Sequence, residues 1–149
     1  MRPTRWYVLV AVGIAAGAVG YLITRASYSD LPSPTLYAQI SLFVLAIAEA
    51  YTASITKARL DGRPGTRAID PLVVARLVAL AKASSIVGAL AVGAYAGFLG
   101  WVGQLTSTTA HSDIRTAAAG IAAGFALVAG ALYLEWVGRV PDEPIDDDQ

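Results

Sequence analysis

Cysteine is absent from the sequence, and histidine occurs once, at His111. Without cysteine there is no disulfide frame, thiolate zinc site, c-type haem attachment or palmitoyl anchor. A lone histidine excludes a multi-histidine metal site, and its Ser/Thr-rich surroundings read as a solvated loop. Neither a phosphate-binding glycine loop nor a dinucleotide fingerprint occurs. Charge is scarce too. Asp, Glu, Lys and Arg make up 15% of the chain, eleven acidic against eleven basic, so no net charge is available to support nucleic-acid binding.

What is abundant is apolar. Of 149 residues, 56% are hydrophobic, which is more than a soluble domain of this size can bury. The mean hydropathy is +0.56. These residues fall in four long runs, so the composition predicts an all-α integral membrane protein, a four-helix bundle crossing the bilayer four times.

The first run, Trp6 to Ile23, is about 27 Å long as a helix, close to one hydrocarbon thickness. Its basic lead, Arg2 and Arg5, admits a signal peptide, but the run is long for one and Thr24-Arg25-Ala26-Ser27 is a poor cleavage site; a retained anchor is expected. Leu31-Pro32-Ser33-Pro34 breaks the helix. The second span runs from about Leu36 to Ile55, and Lys57 to Asp70 reads as a polar loop around Pro64-Gly65. Asp70-Pro71 supplies an N-cap and a first-turn proline for a third helix, Leu72 to Val102, longer than one membrane thickness requires. Gln104 to Asp113 reads as a short outer loop, and the fourth span as about Thr116 to Val137. Residues 1–140 thus form one transmembrane domain, and 141–149 an acidic, disordered tail.

Orientation follows from Lys and Arg near the span ends. Arg2, Arg5, Lys57, Arg59, Arg63, Arg67, Arg76, Lys82 and Arg139 lie on one side against Arg25 and Arg115 on the other, nine against two. The positive-inside rule then places both termini and the middle loop in the cytoplasm. Trp6, Tyr7, Tyr37, Trp101, Tyr133 and Trp136 fall near the span ends, as interfacial aromatics do.

Glu49, Lys82 and Glu135 interrupt apolar runs, each at a cost of about 2.5–3.5 kcal/mol at mid-membrane if unpaired. With Arg76 they all fall in the cytoplasmic half. Each of the three shares a helix face with small residues: Lys82 with Ala75, Ala89, Gly93 and Gly100, Glu135 with Ala117, Gly124 and Ala131, and Glu49 with Ala38, Ala46 and Ala53. This predicts one buried charge cluster, Glu49 near Lys82 and Glu135 near Arg76, acting as an ionic staple or, alternatively, as a relay or anionic-headgroup site. The outer half offers only Gln39 and Ser41 to extend a pathway. Ser84 and Ser85 read as hydroxyls bonded back to helix carbonyls. Small-xxx-small patterns at Gly13/Gly17, Gly93/Gly97 and Gly120/Gly124 predict close helix packing.

Asp61-Gly62 opens like the signature of lipid-headgroup phosphotransferases, but the Ala-Arg pair is displaced and the later aspartates are missing, which excludes that class. With no catalytic constellation, the expectation is a non-enzymatic scaffold or accessory subunit without cofactor or metal. Its partners are then the lipid bilayer and another membrane protein or further copies of itself, not nucleic acid. The alternative is a subunit of an oligomeric transporter or channel.

Arg63-Pro64-Gly65, Asp70-Pro71-Leu72, Ala75-Arg76, Ala83-Ser84, Gly88, Gly93-Ala94-Tyr95-Ala96-Gly97 and Glu135-Trp136-Val137-Gly138-Arg139-Val140-Pro141 together resemble an actinobacterial family of small four-span membrane proteins, known as a domain of unknown function. The resemblance implies the four-span topology over essentially the whole chain. Members commonly carry Arg and Cys where this chain has Trp136 and Gly138, and their genes often lie beside folate-biosynthesis genes. No family activity comes with the resemblance.

Overall fold

The computed structural model describes residues 4–28, 36–62 and 69–139. They form four helices, α1 (Trp6–Ser27), α2 (Leu36–Leu60), α3 (Pro71–Val102) and α4 (Thr108–Val137). All four are long and apolar enough to cross a membrane. The expected turn at Pro32 and Pro34, the Pro64-Gly65 loop and the acidic tail lie outside the described residues.

Local chemistry sets the helix ends. The Asp70 side chain accepts from the Leu72 N–H at 2.8 Å and Pro71 follows, so α3 starts where its sequence signal stands. Gly62, with φ +62°, terminates α2 in the left-handed region that glycine enters without strain. Three boundaries differ from expectation. α1 continues through Ser27 and α2 through Leu60, because Thr24-Arg25 and Lys57-Ala58-Arg59 contain no breaker and the cations sit in the last turns, where the helix dipole favours them. The Ser/Thr-rich stretch is mostly helix rather than loop: Ser107 caps α4 by accepting from the Ala110 N–H at 3.2 Å. His111 therefore stands in the first turn of α4, its ring 3.1 Å from the Ser107 carbonyl.

Packing orders the helices α1, α3, α4, α2. α3 packs against α1 and α4, α4 packs against α3 and α2, and the helix bodies of α1 and α2 do not meet. The expected bundle is thus an open row, with an antiparallel pair, α3 and α4, flanked on each side by an outer helix parallel to its neighbour. Burial follows this order: 39% and 44% of the apolar windows of α3 and α4 are buried, against 11% and 22% for α1 and α2. Large apolar side chains such as Ile14, Ile47 and Phe125 stand more than half exposed around the row. A helix apolar on every side is stable in this form only where lipid replaces water.

The N-terminal ends of α1 and α3 and the C-terminal ends of α2 and α4 share one end of the row, here the proximal end. Arg5 over Tyr7 and Lys57 over Trp136 (4.9 Å) mark it with cation–π pairs, and Arg25 over Trp101 (5.9 Å) marks the distal end. Such aromatic and basic belts suit the two edges of a bilayer.

The expected packing glycines line both faces of α3. A Cβ on Gly17 would stand 3.3 Å from the Gly93 carbonyl oxygen, and one on Gly20 would stand 2.9 Å from that of Ala94. On Gly93 and Gly97 it would collide with the carbonyls of Gly13 and Gly17. On the opposite side, Gly88 and Gly124 face each other, and Gly120 makes room for the Tyr95 ring, whose Cδ2 lies 2.5 Å from where a Cβ would be. Gly-Ile-Ala-Ala-Gly therefore occurs twice, once against each flank of α3.

Candidate functional site: the buried polar groups

α2 meets the row along one stripe, formed by Gln39, Leu42, Ala46, Glu49, Ala53 and Thr56. Their alternating three- and four-residue steps, with position 39 followed by 42 and 46, keep them on one face. Gln39, Glu49 and Thr56 are each no more than 3% exposed. The stripe is therefore half polar, an expensive choice for a helix surrounded by lipid.

At its distal end the Gln39 amide donates to the Tyr95 hydroxyl at 3.0 Å. Tyr95 belongs to α3 and reaches α2 by crossing α4 at Gly120, which explains why that glycine admits no side chain. Sequence reading named Gln39 and Gly120 separately and missed Tyr95, which links them. Ser41, the other outer-half candidate, is exposed and donates to its own helix at the Tyr37 carbonyl.

Glu49 occupies the middle of the stripe. It is 2% exposed, and neither carboxylate oxygen has a hydrogen-bond partner. Because α2 continues to Leu60, Glu49 lies about 16 Å from the proximal end of its helix. Among the described residues it pairs with no cation, which corrects the expected Glu49–Lys82 bridge. Ser84 is the α3 side chain that faces Glu49, without a well-formed hydrogen bond. Lys82 lies about 200° around α3 from Ser84 at 100° per residue, so the helix turn carries its ammonium away. Lys82 is half-buried. The Ser85 hydroxyl, fully buried, bonds back to the Lys82 carbonyl at 2.8 Å, as a mid-helix serine does.

Glu135 has the same burial and the opposite company. It is 2% exposed, accepts from the Thr4 N–H at 2.7 Å, and lies 3.9 Å from the Arg139 guanidinium. Arg139, one turn further along α4, takes the place expected of Arg76. Arg76 is exposed on α3 and stands outside any buried cluster, since it falls in the first turns of that helix, where its face is not covered. Among the described residues the two acids therefore do not form one cluster: Glu49 has no hydrogen-bond partner, and Glu135 is held by Thr4 and Arg139.

A further acid was missed. Asp113, 4% exposed, accepts from the Tyr28 hydroxyl at 2.9 Å. α1 is thus tied to α4 at both ends, Tyr28 to Asp113 distally and Thr4 to Glu135 proximally, although the bodies of the two helices do not touch. The two acids lie about 33 Å apart along α4, close to the thickness of a hydrocarbon core. A signal for Asp113 existed, an acid early in an apolar segment, but reading that segment as loop concealed it.

Among the described residues, no three His, Asp or Glu side chains converge on one point. The chemistry on offer is that of single carboxyls and hydroxyls. Beside α1 and α3 runs an apolar groove of about 550 Å³, lined by Val12, Ala15, Ala16, Val19, Gly20 and Ile23 of α1 with Leu90 and Ala94 of α3.

A family model described as a protein of unknown function (DUF3180) matches residues 9–142, and the chain belongs to that family. No curated protein and no solved structure matches it.

Proposed function

From membership in that family and from the open helix row, we propose that the protein is a multi-pass protein of an actinobacterial plasma membrane that serves as a non-enzymatic scaffold or accessory subunit. Its proximal end is cytoplasmic. The groove along α1 and α3 carries this reading. It is continuous with the glycine seam between those helices, and Gly20 and Ala94 belong to both. In lipid, helices associate through small residues that allow close approach, and a groove floored by alanine and glycine seats one more helix. The occupant is a transmembrane helix of another membrane protein.

A native mass measurement in mild detergent tests the proposal, with a heteromeric complex expected. The chain has no cysteine, so a single Val19→Cys variant should crosslink to that partner, and Ala15→Phe should displace it. A closed homo-oligomer favours instead the second reading, a transporter or channel subunit, which the polar stripe of α2 supports. A monomer under every mild condition overturns both. For orientation, a cysteine at Thr106 should be labelled from outside the cell and one at Asp61 should not; the reverse pattern inverts the topology.

A further inference from the structure

Two carboxyls in this protein are equally buried, and only one has partners. Glu135 receives the Thr4 N–H and lies 3.9 Å from the Arg139 guanidinium, both at Oε1, while its Oε2 has no hydrogen-bond partner. Glu49 receives neither. A charged carboxylate in a dry seam costs several kcal/mol unless it is paired, while the neutral acid costs far less and brings a donor of its own. Among the described residues, no cation faces Glu49. From α3 come the Ser84 hydroxyl and, turned away, the ammonium of Lys82. From α4 come the aliphatic and small residues around Gly130, with Tyr133 about one turn nearer the proximal end, packed by Ala53. On α2 itself the nearest cation is Lys57, two turns on and engaged over the Trp136 ring.

We propose that Glu49 is a reversible proton-binding site, held as a neutral carboxylic acid while α2 is seated and ionised only when the seam between α2 and the α3–α4 pair opens. The location suits this role, because α2 is an edge helix held mainly by α4, so separating it exposes Glu49 without dismantling the glycine-packed centre. Protonation and the seating of α2 are therefore linked: whatever opens the seam releases a proton, and whatever removes the proton loosens the seam. The assignment holds whether the protein works as an accessory subunit or within a transporter.

Dicyclohexylcarbodiimide is the probe. This apolar reagent enters membranes and reacts with protonated carboxyls: the acid O–H adds across one N=C bond, and acyl migration leaves a stable N-acylurea with no leaving group. On the full chain in nanodiscs at neutral pH, peptide mass spectrometry should place the adduct on Glu49 and not on Glu135. The yield should fall at alkaline pH, stay unchanged when sodium replaces potassium, and vanish in Glu49→Gln. Because access of the reagent could limit labelling, infrared difference spectra of wild type against Glu49→Gln provide the second measurement. They should show the carbonyl band of a protonated carboxyl, lost in the variant at neutral pH and lost in wild type on alkalinisation. Carboxylate bands at neutral pH overturn the proposal, as does protection by sodium at fixed pH, which would make Glu49 a cation ligand. A protonated band that survives alkalinisation also overturns it, since the proton would then not be exchangeable.

Discussion

The two outer helices are attached to the central pair by opposite means. α1 lies on α3 through glycines, backbone against backbone, with the carbonyls of Gly13 and Gly17 pressed on Gly93 and Gly97. α2 lies on α4 through a stripe in which Gln39, Glu49 and Thr56 alternate with alanines. In lipid neither attachment draws on the hydrophobic effect, since solvent and protein interior are equally apolar. The glycine seam gains from dispersion at short range and fails if an atom is added on its α3 side, at Gly93 or Gly97. The polar seam gains from hydrogen bonds and changes with protonation. One seam is a fixed joint, and the other responds to its surroundings.

The largest effect that would test this contrast is expected in the glycine seam. Gly93→Ala or Gly97→Ala forces backbone apart and should destabilise by about 1–3 kcal/mol in thermal melts. Gly13→Ala, across the same contact, should be nearly neutral, because its Cβ would stand an ordinary 3.5 Å from the Ala89 carbonyl oxygen. Equal losses for Gly13 and Gly93 would mean that helix flexibility, not the close approach, limits stability.

Next in size is the proximal tie of α1. Glu135→Ala leaves the Thr4 N–H without its acceptor and should cost about 1–3 kcal/mol, whereas Glu135→Gln keeps an acceptor oxygen and should lose less. If the two variants melt alike, the Thr4 bond contributes little and Arg139 carries the interaction.

The distal bond of the polar seam is worth less. Gln39→Leu should cost about 0.6 kcal/mol and no more than about 1.7, the range found for hydrogen bonds between membrane helices. Gly120→Ala pushes on the Tyr95 ring that makes this bond, so the two substitutions should be non-additive in a double-mutant cycle. Strict additivity would separate Gly120 from the Gln39 link.

The smallest effect is a pH dependence at the distal end of α1. Burial, and then the hydrogen bond and negative charge of Asp113, hold the Tyr28 phenol above its ordinary value of 10.0. A folded value above the unfolded one means that the contribution is complete below about pH 10 and is lost as pH rises through the folded value. Tyr28→Phe should remove that alkaline slope and, because the bond to the buried Asp113 is complete at neutral pH, also lower the melt there modestly. A slope that persists in the variant belongs to another group.

Much of this architecture could be read in the residues. Asp70-Pro71 announces α3, glycine spacing marks the faces that pack, and long apolar runs between prolines and charges define four helices. The charge cluster could not be read, because sharing a helix face with small residues shows that a side chain points toward some neighbour, not toward which one. Lys82 and Glu49 both satisfy that condition, yet they face different directions across the seam.

Alone, then, the sequence determined composition, helix number and the positions at which helices come close, since all of these rest on local propensity and on the apolar length needed to span a bilayer. Which helix lies beside which follows from the packed structure alone. In a chain whose helices are apolar all round, the hydrophobic pattern has no preferred partner, and the order α1, α3, α4, α2 is set by steric fit between glycine-lined backbones. That order gave Glu135 its Thr4 and Arg139 partners, gave Asp113 its tyrosine, and left Glu49 without a counter-charge among the described residues.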